Sequence, residues 1–142
     1  MFSSLFSVFS TVFVLALSYL ASAAPVQPTE LIVWNPMITS PQFGDVWVAG
    51  CTQNVTWLTD NIPDEKKNAT GLLLLGYYAN NSENLDIKHP LASGFPIAWG
   101  YVQITVPANL TRGDNYTVVL FGDSGNASPA FTIEPNATQC SK

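Results

Sequence analysis

The chain has 142 residues, 47% of them hydrophobic and only 11% charged, with a formal net charge of −5 at pH 7. One Arg and four Lys supply no basic patch, which excludes a nucleic-acid-binding role. A single histidine and two cysteines, with no further ligands at short spacing, give no metal site, and no cofactor motif is present.

Residues 1–23 read as a secretory signal peptide. An apolar run from Phe2 to Leu20 ends in Ala21-Ser22-Ala23, a small-x-small cleavage pattern. The competing reading is an uncleaved membrane anchor, but the run is at the short end for a span and no basic flank follows it. Cleavage before Ala24 leaves residues 24–142 as one domain with no stable membrane insertion.

The mature part reads as short strands separated by turns. Residues 31–34 form a first strand, stopped by Asn35-Pro36. Residues 38–41 and 45–49 form an edge segment kinked at Phe43-Gly44, where Pro41 is tolerated. Residues 53–58 alternate, with Val55 and Trp57 inward and Asn54 and Thr56 outward. Residues 59–70 are a charged loop. Residues 71–78 contain four consecutive Leu and predict a central strand covered on both faces. Residues 80–100 have no clear period: either a functional loop with a short strand at 85–87, or a cover for the outer face of the Leu72–Leu75 strand. Residues 101–106 alternate again, with Val102, Ile104 and Val106 inward. Two last strands flank a turn at residues 122–126. Gly113-Asp114-x-Tyr116 ahead of the first of them matches a tyrosine corner. Arg112-Gly113-Asp114 spells an integrin-type tripeptide, which this turn explains. About seven strands without a helical period predict an all-β, Ig-like or fibronectin type III-like antiparallel β-sandwich.

In a secreted chain, Cys51 and Cys140 read as a disulfide. Seven N-glycosylation sequons begin at Asn54, Asn68, Asn80, Asn109, Asn115, Asn126 and Asn136. Sugar at these positions offsets the low charge as a source of solubility. Asn54 with Thr56, and Asn115 with Thr117, each share the outward face of a strand, and Pro129 lowers the expected occupancy at Asn126.

Ile38-Thr39-Ser40-Pro41, Val46-Trp47 with Gly50, Val55-Thr56-Trp57, and the closing run from Leu120-Phe121-Gly122 through Ser128-Pro129 to Phe131-x-Ile133 resemble the fungal cell-wall domain of the KRE/KNH type. The resemblance covers residues 37–133. It implies an Ig- or fibronectin-like sandwich, secretion, and a role linked to beta-1,6-glucan assembly in the wall. It carries no catalytic residues. Anchored relatives continue into a Ser/Thr-rich stalk and a GPI signal, whereas this chain carries no such tail after Pro135.

The residues themselves mark out no catalytic set. His89-Pro90 sits in the long loop, and no Ser lies in a nucleophile-elbow motif. A copper oxidative enzyme would need an N-terminal His, where this chain has Ala24 or Pro25. Asp45, Asp60, Asp86, Asp114 and Asp123 are turn formers, with no pair singled out for glycoside hydrolysis. The expectation is a secreted, N-glycosylated, non-catalytic wall component associated with beta-glucan; the alternative is a secreted glycan-active enzyme or effector. Trp47, Trp99, Tyr77 and Tyr78 are the candidate exposed aromatics, with Trp57 in the core. The expected glycan contacts are Trp99, Phe95, His89 and Lys88 in the sequon-free stretch after Asn81. The competing place for Phe95 is the core.

Overall fold

Five successive residues, Tyr116 to Leu120, are buried, so the strand that carries them must have neighbours on both edges and cover on both faces. The computed structural model describes residues 33–122, 124–135 and 140. The signal segment 1–23, the first two residues of the strand expected at 31–34, Asp123 and the Asn136 sequon lie outside the described residues. Val33 and Trp34 are in no strand.

Nine strands form two sheets among the described residues. In chain order they are β1 (Ile38–Ser40), β2 (Val46–Val48), β3 (Thr52–Trp57), β4 (Thr70–Tyr77), β5 (Ala92–Pro96), β6 (Tyr101–Thr105), β7 (Gly113–Phe121), β8 (Gly125–Ala127) and β9 (Phe131–Glu134). The smaller sheet runs β1-β3-β6. The larger runs β2-β9-β7-β4-β5, with β8 added to β7. All pairs are antiparallel except β2 with β9, which are parallel. The expected kink at Phe43-Gly44 is the point where the edge strand leaves the smaller sheet as β1 and joins the larger as β2. Gly44 has φ +89°, a left-handed conformation suited to glycine.

Alternation sets which side chains meet. Val55, Trp57 and Ile104 from the smaller sheet face Leu73, Leu75, Tyr116, Val118, Leu120, Phe131 and Ile133 from the larger. Two ring contacts lie in this core, Trp47 on Phe131 at 4.5 Å and Trp57 on Phe95 at 5.6 Å. Trp47 is therefore not the exposed aromatic that the sequence reading expects: it is 4% exposed, because its strand edge leans over Phe131. Leu74 and Val119, directly opposite each other, are buried on the other face of the larger sheet, as expected of a doubly covered central pair.

The tyrosine corner is present. Tyr116 donates its hydroxyl hydrogen to the Thr111 carbonyl at 2.8 Å. The Cys51–Cys140 disulfide is formed, with a Cα–Cα distance of 5.5 Å. Beyond the Gly-rich turn, the second half of the closing hairpin is split. β8 takes Val119–Phe121 and β9 takes Gly113–Tyr116 along the edge of β7 that β4 leaves open. Between β8 and β9 sits the buried Ser128. Its Oγ accepts from Val118 N at 3.1 Å, and its carbonyl accepts from Thr117 Oγ1 at 2.9 Å. Thr117, expected on an open outward face, is fully covered as a result.

The segment after Tyr78 fits neither reading whole. No strand forms at residues 85–87, and residues 92–96 form β5 instead. Leu85 does cover part of β4's outer face, with its Cδ2 2.7 Å from the place that a Cβ on Gly76 would take. The rest of the segment runs along β4's edge. Asn80 and Asn81, at φ +53° and +57°, reverse the chain, and the Asn84 amide donates to the carbonyls of Tyr77, Ala79 and Ser82. Backbone bonds Tyr77 N to Glu83 O, Asp86 N to Leu75 O and Leu91 N to Leu73 O then lead into β5. The physical reason is backbone satisfaction: a buried strand edge needs hydrogen-bond partners along its whole length.

Candidate functional site

The turn between β5 and β6 is anchored from below. Trp57, buried in β3, donates its indole N–H to the Ile97 carbonyl at 2.7 Å. Ile97 is itself fully buried, and its Cδ1 occupies the position that a Cβ on Gly122 would need. Its backbone N–H bonds to Ala69 O, and Gly100 O accepts from Trp57 N. Gly100, at φ +75°, closes the 3-10 turn Ile97–Trp99. Trp99 projects from this fixed turn with 60% of its surface exposed. It stacks on Tyr101, 55% exposed, with ring centroids 6.4 Å apart and planes at 27°.

Tyr101 begins β6 on the outer face of the smaller sheet. The outward row is fixed by register: Thr56 opposite Tyr101, Asn54 opposite Gln103, Thr52 opposite Thr105. The Thr39 and Thr56 hydroxyls are hydrogen-bonded at 2.7 Å. At the aromatic end, Met37 and Leu58 are exposed and joined by a backbone bond from Leu58 N to Met37 O. The face thus runs from exposed rings and aliphatic groups, through hydroxyls and amides, to a shallow depression lined by Ser40, Thr52, Asn54, Gln103 and Cys140. Rings flanked by hydroxyl and amide groups suit an uncharged polyhydroxy ligand, whose C–H faces stack while its hydroxyls exchange hydrogen bonds.

The other expected contacts do not join Trp99. Phe95 is 6% exposed and packs on Trp57, so it belongs to the core. Its place in the core also dictates Gly71: a Cβ there would come within 2.3 Å of the Phe95 ring. Lys88 and His89 lie at the opposite end of β4, beside Leu75, while the Trp99 turn adjoins Ala69. The strand between them is about 20 Å long.

His89 and Asp86 form a self-contained turn. Asp86 Oδ1 accepts from the backbone N–H groups of Lys88 and His89, both at 3.2 Å, and His89 Nδ1 lies 3.0 Å from Oδ2. The His89 side-chain hydrogen bond holds the Asp86 carboxyl below its ordinary 3.8; desolvation opposes it, and the backbone bonds from His89 and Lys88 and the charge of His89 add to the lowering. This pair borders a cleft of about 460 Å³ at the end of the sandwich, lined among others by Tyr77, Leu85, Leu110 and Tyr116. Among the described residues no Ser or Cys lines it to act as a nucleophile. Tyr77 and Tyr78 are partly exposed, as expected, and the Tyr78 hydroxyl donates to Ser128 O at 3.3 Å.

The sequons are spread around the molecule. Asn54, Asn68, Asn80 and Asn109 are exposed. Asn115 and Asn126 are half-buried, and their amides donate to the Tyr78 and Pro36 carbonyls. Tyr101 is the residue that the sequence reading missed. As the first residue of an alternating strand it carries the parity that places it outward, and its stacking on Trp99 depends on the turn between them.

Among the described residues no helix is long and apolar enough to cross a membrane. No curated protein and no solved structure matches the chain. A family model does, over residues 40–133, and its description is the Kre9/KNH-like N-terminal Ig-like domain. The match spans most of the sandwich, from Ser40 in β1 to Ile133 in β9. With the Ig-like layering, the tyrosine corner and this match, the chain belongs to the Kre9/KNH family, a fungal cell-wall domain related to beta-glucan.

Proposed function

We propose that this protein is a secreted, N-glycosylated and non-catalytic component of the fungal wall that associates with beta-glucan through the outer face of its smaller sheet. The observation that carries the reading is the stacked, exposed Trp99–Tyr101 pair on a turn pinned by the buried Trp57 indole. Two large rings left in water on a rigid support are costly unless something covers them. Pre-organisation also spares the ligand the cost of ordering them. The Asp86–His89 pair supports a non-catalytic role, since its hydrogen bonds are spent on its own turn.

Retention on insoluble beta-1,6-glucan and beta-1,3-glucan tests this. Covering roughly 50 Å² of ring face at about 25 cal/mol/Å² contributes about 1.2 kcal/mol, which corresponds to roughly eightfold in affinity. Trp99→Ala is expected to lose about that much retention while its denaturation midpoint stays close to that of the parent. Equal retention of the variant and the parent would remove Trp99 from the site.

A further inference from the structure

We propose that an N-glycan on Asn54 lies across the outer face of the smaller sheet and covers Tyr101 and Trp99, so that occupancy of this one sequon sets the access of beta-glucan to that face. The proposal rests on the reading of that face as the glucan site, and it adds a regulator built into the same strand.

Asn54 is the only sequon on β1, β3 or β6. Its side chain is exposed and has no hydrogen bond among the described residues, unlike the amides of Asn115 and Asn126, which are tied to backbone carbonyls. Attachment replaces one Nδ2 proton of Asn54 with the anomeric carbon of an oligosaccharide, transferred from a lipid-linked diphosphate donor that departs as the lipid diphosphate. The sugar then projects from the centre of the face. Thr56 is the next outward residue on β3, and Tyr101 stands opposite it on β6. Diagonal neighbours of this kind are about 7–8 Å apart, within reach of an Asn side chain bearing a short oligosaccharide. The first sugars attached to Asn54 have the same chemistry as the external ligand: C–H faces for the rings, hydroxyls and N-acetyl groups for Thr39, Thr56 and Gln103. A tethered sugar competes at high effective concentration, so even weak stacking excludes a free chain.

Placement of the other tryptophans gives a readout that does not depend on glucan. Trp47 and Trp57 are buried and Trp34 is half-buried, so Trp99 dominates quenching of indole fluorescence by acrylamide. The experiment compares the full glycoprotein from a eukaryotic host with Asn54→Gln and, as a control for sugar elsewhere, Asn109→Gln. Site-specific mass spectrometry, acrylamide quenching and retention on insoluble beta-glucan are read on each. Expected are an occupied Asn54, stronger quenching in Asn54→Gln alone, and retention raised about fivefold in that variant, the equivalent of roughly 1 kcal/mol. An unoccupied Asn54 overturns the proposal. So does quenching equal in all three proteins, which is also the result if the glycan lies over the depression beside Cys140. Stronger quenching in Asn54→Gln with no retention by any of the proteins keeps the glycan cover and overturns the glucan reading. Retention that is equal in all three and lost in Trp99→Ala keeps the glucan reading and overturns the gate.

Discussion

Trp99 and Phe95 are four residues apart, and both were candidates to contact a glycan, yet the structure gives them opposite roles. Phe95, in β5, fills the space over Gly71 against Trp57, whereas Trp99 leaves the turn that follows β5 into solvent. Phe95→Ala is therefore expected to cost about 3–5 kcal/mol of stability, read as a large drop in the chemical denaturation midpoint. The Tyr116 hydroxyl is a smaller and sharper test. Tyr116→Phe leaves the ring in place but deprives the Thr111 carbonyl of its donor, at a cost of about 1–3 kcal/mol. An unchanged midpoint would mean that the corner contributes nothing. At Asp86 the prediction concerns pH. A carboxyl held below 3.8 by His89 favours the folded turn above its unfolded value, and that contribution is lost as pH falls through the lowered one. A carboxyl-detected NMR titration should place the Asp86 midpoint under 3.8, and His89→Ala should move it upward.

At the scale of strands, the parts legible in the sequence were those whose side chains obey a simple period. Val55 and Trp57 against Asn54 and Thr56 gave β3 and its faces, the four leucines gave β4, and Tyr116 marked the start of the late strand. β5 was not legible, because Ser93-Gly94 breaks its alternation: Gly94, at φ +73°, is the extra residue of a bulge in β5, between the pairs Gly71–Phe95 and Leu72–Ser93. Its place is set by the open edge of β4, a tertiary demand with no local signature. β8 was hidden for a similar reason: its three residues, Gly125-Asn126-Ala127, carry no large apolar side chain, and the Ser128 hydroxyl replaces a regular backbone acceptor. The close packing of β5 on β4 yields a prediction of its own. Gly71→Ala would place a methyl group 2.3 Å from the Phe95 ring, so the ring must move. Overpacking of this kind costs about 1–3 kcal/mol, and paired with Phe95→Leu the cost should shrink, which a double-mutant cycle measures.

Over the whole molecule, the sandwich serves as a rigid stage with two distinct ends. The disulfide ties the start of β3 to Cys140 across a sequence separation of 89 residues. In the chain-entropy account, closing a loop of that length contributes about 4–5 kcal/mol, so Cys51→Ser with Cys140→Ser should lower stability by a few kcal/mol and leave the Trp99 turn unaltered. Of the candidate site, Trp99 was legible from its place between Ala98 and Gly100. The separation of His89 and Lys88 from it was not, because it depends on β5 carrying the chain from one end of β4 to the other. In the proposed function, glucan meets the aromatic end of the smaller sheet and not the cleft beside His89. The most direct measurement is an amide NMR titration of the Asn54→Gln protein with soluble beta-glucan oligosaccharides. Shifts are expected at residues 37–39, 56–58 and 99–103. Shifts confined to residues 84–89 and 107–110, or none at all, would contradict it.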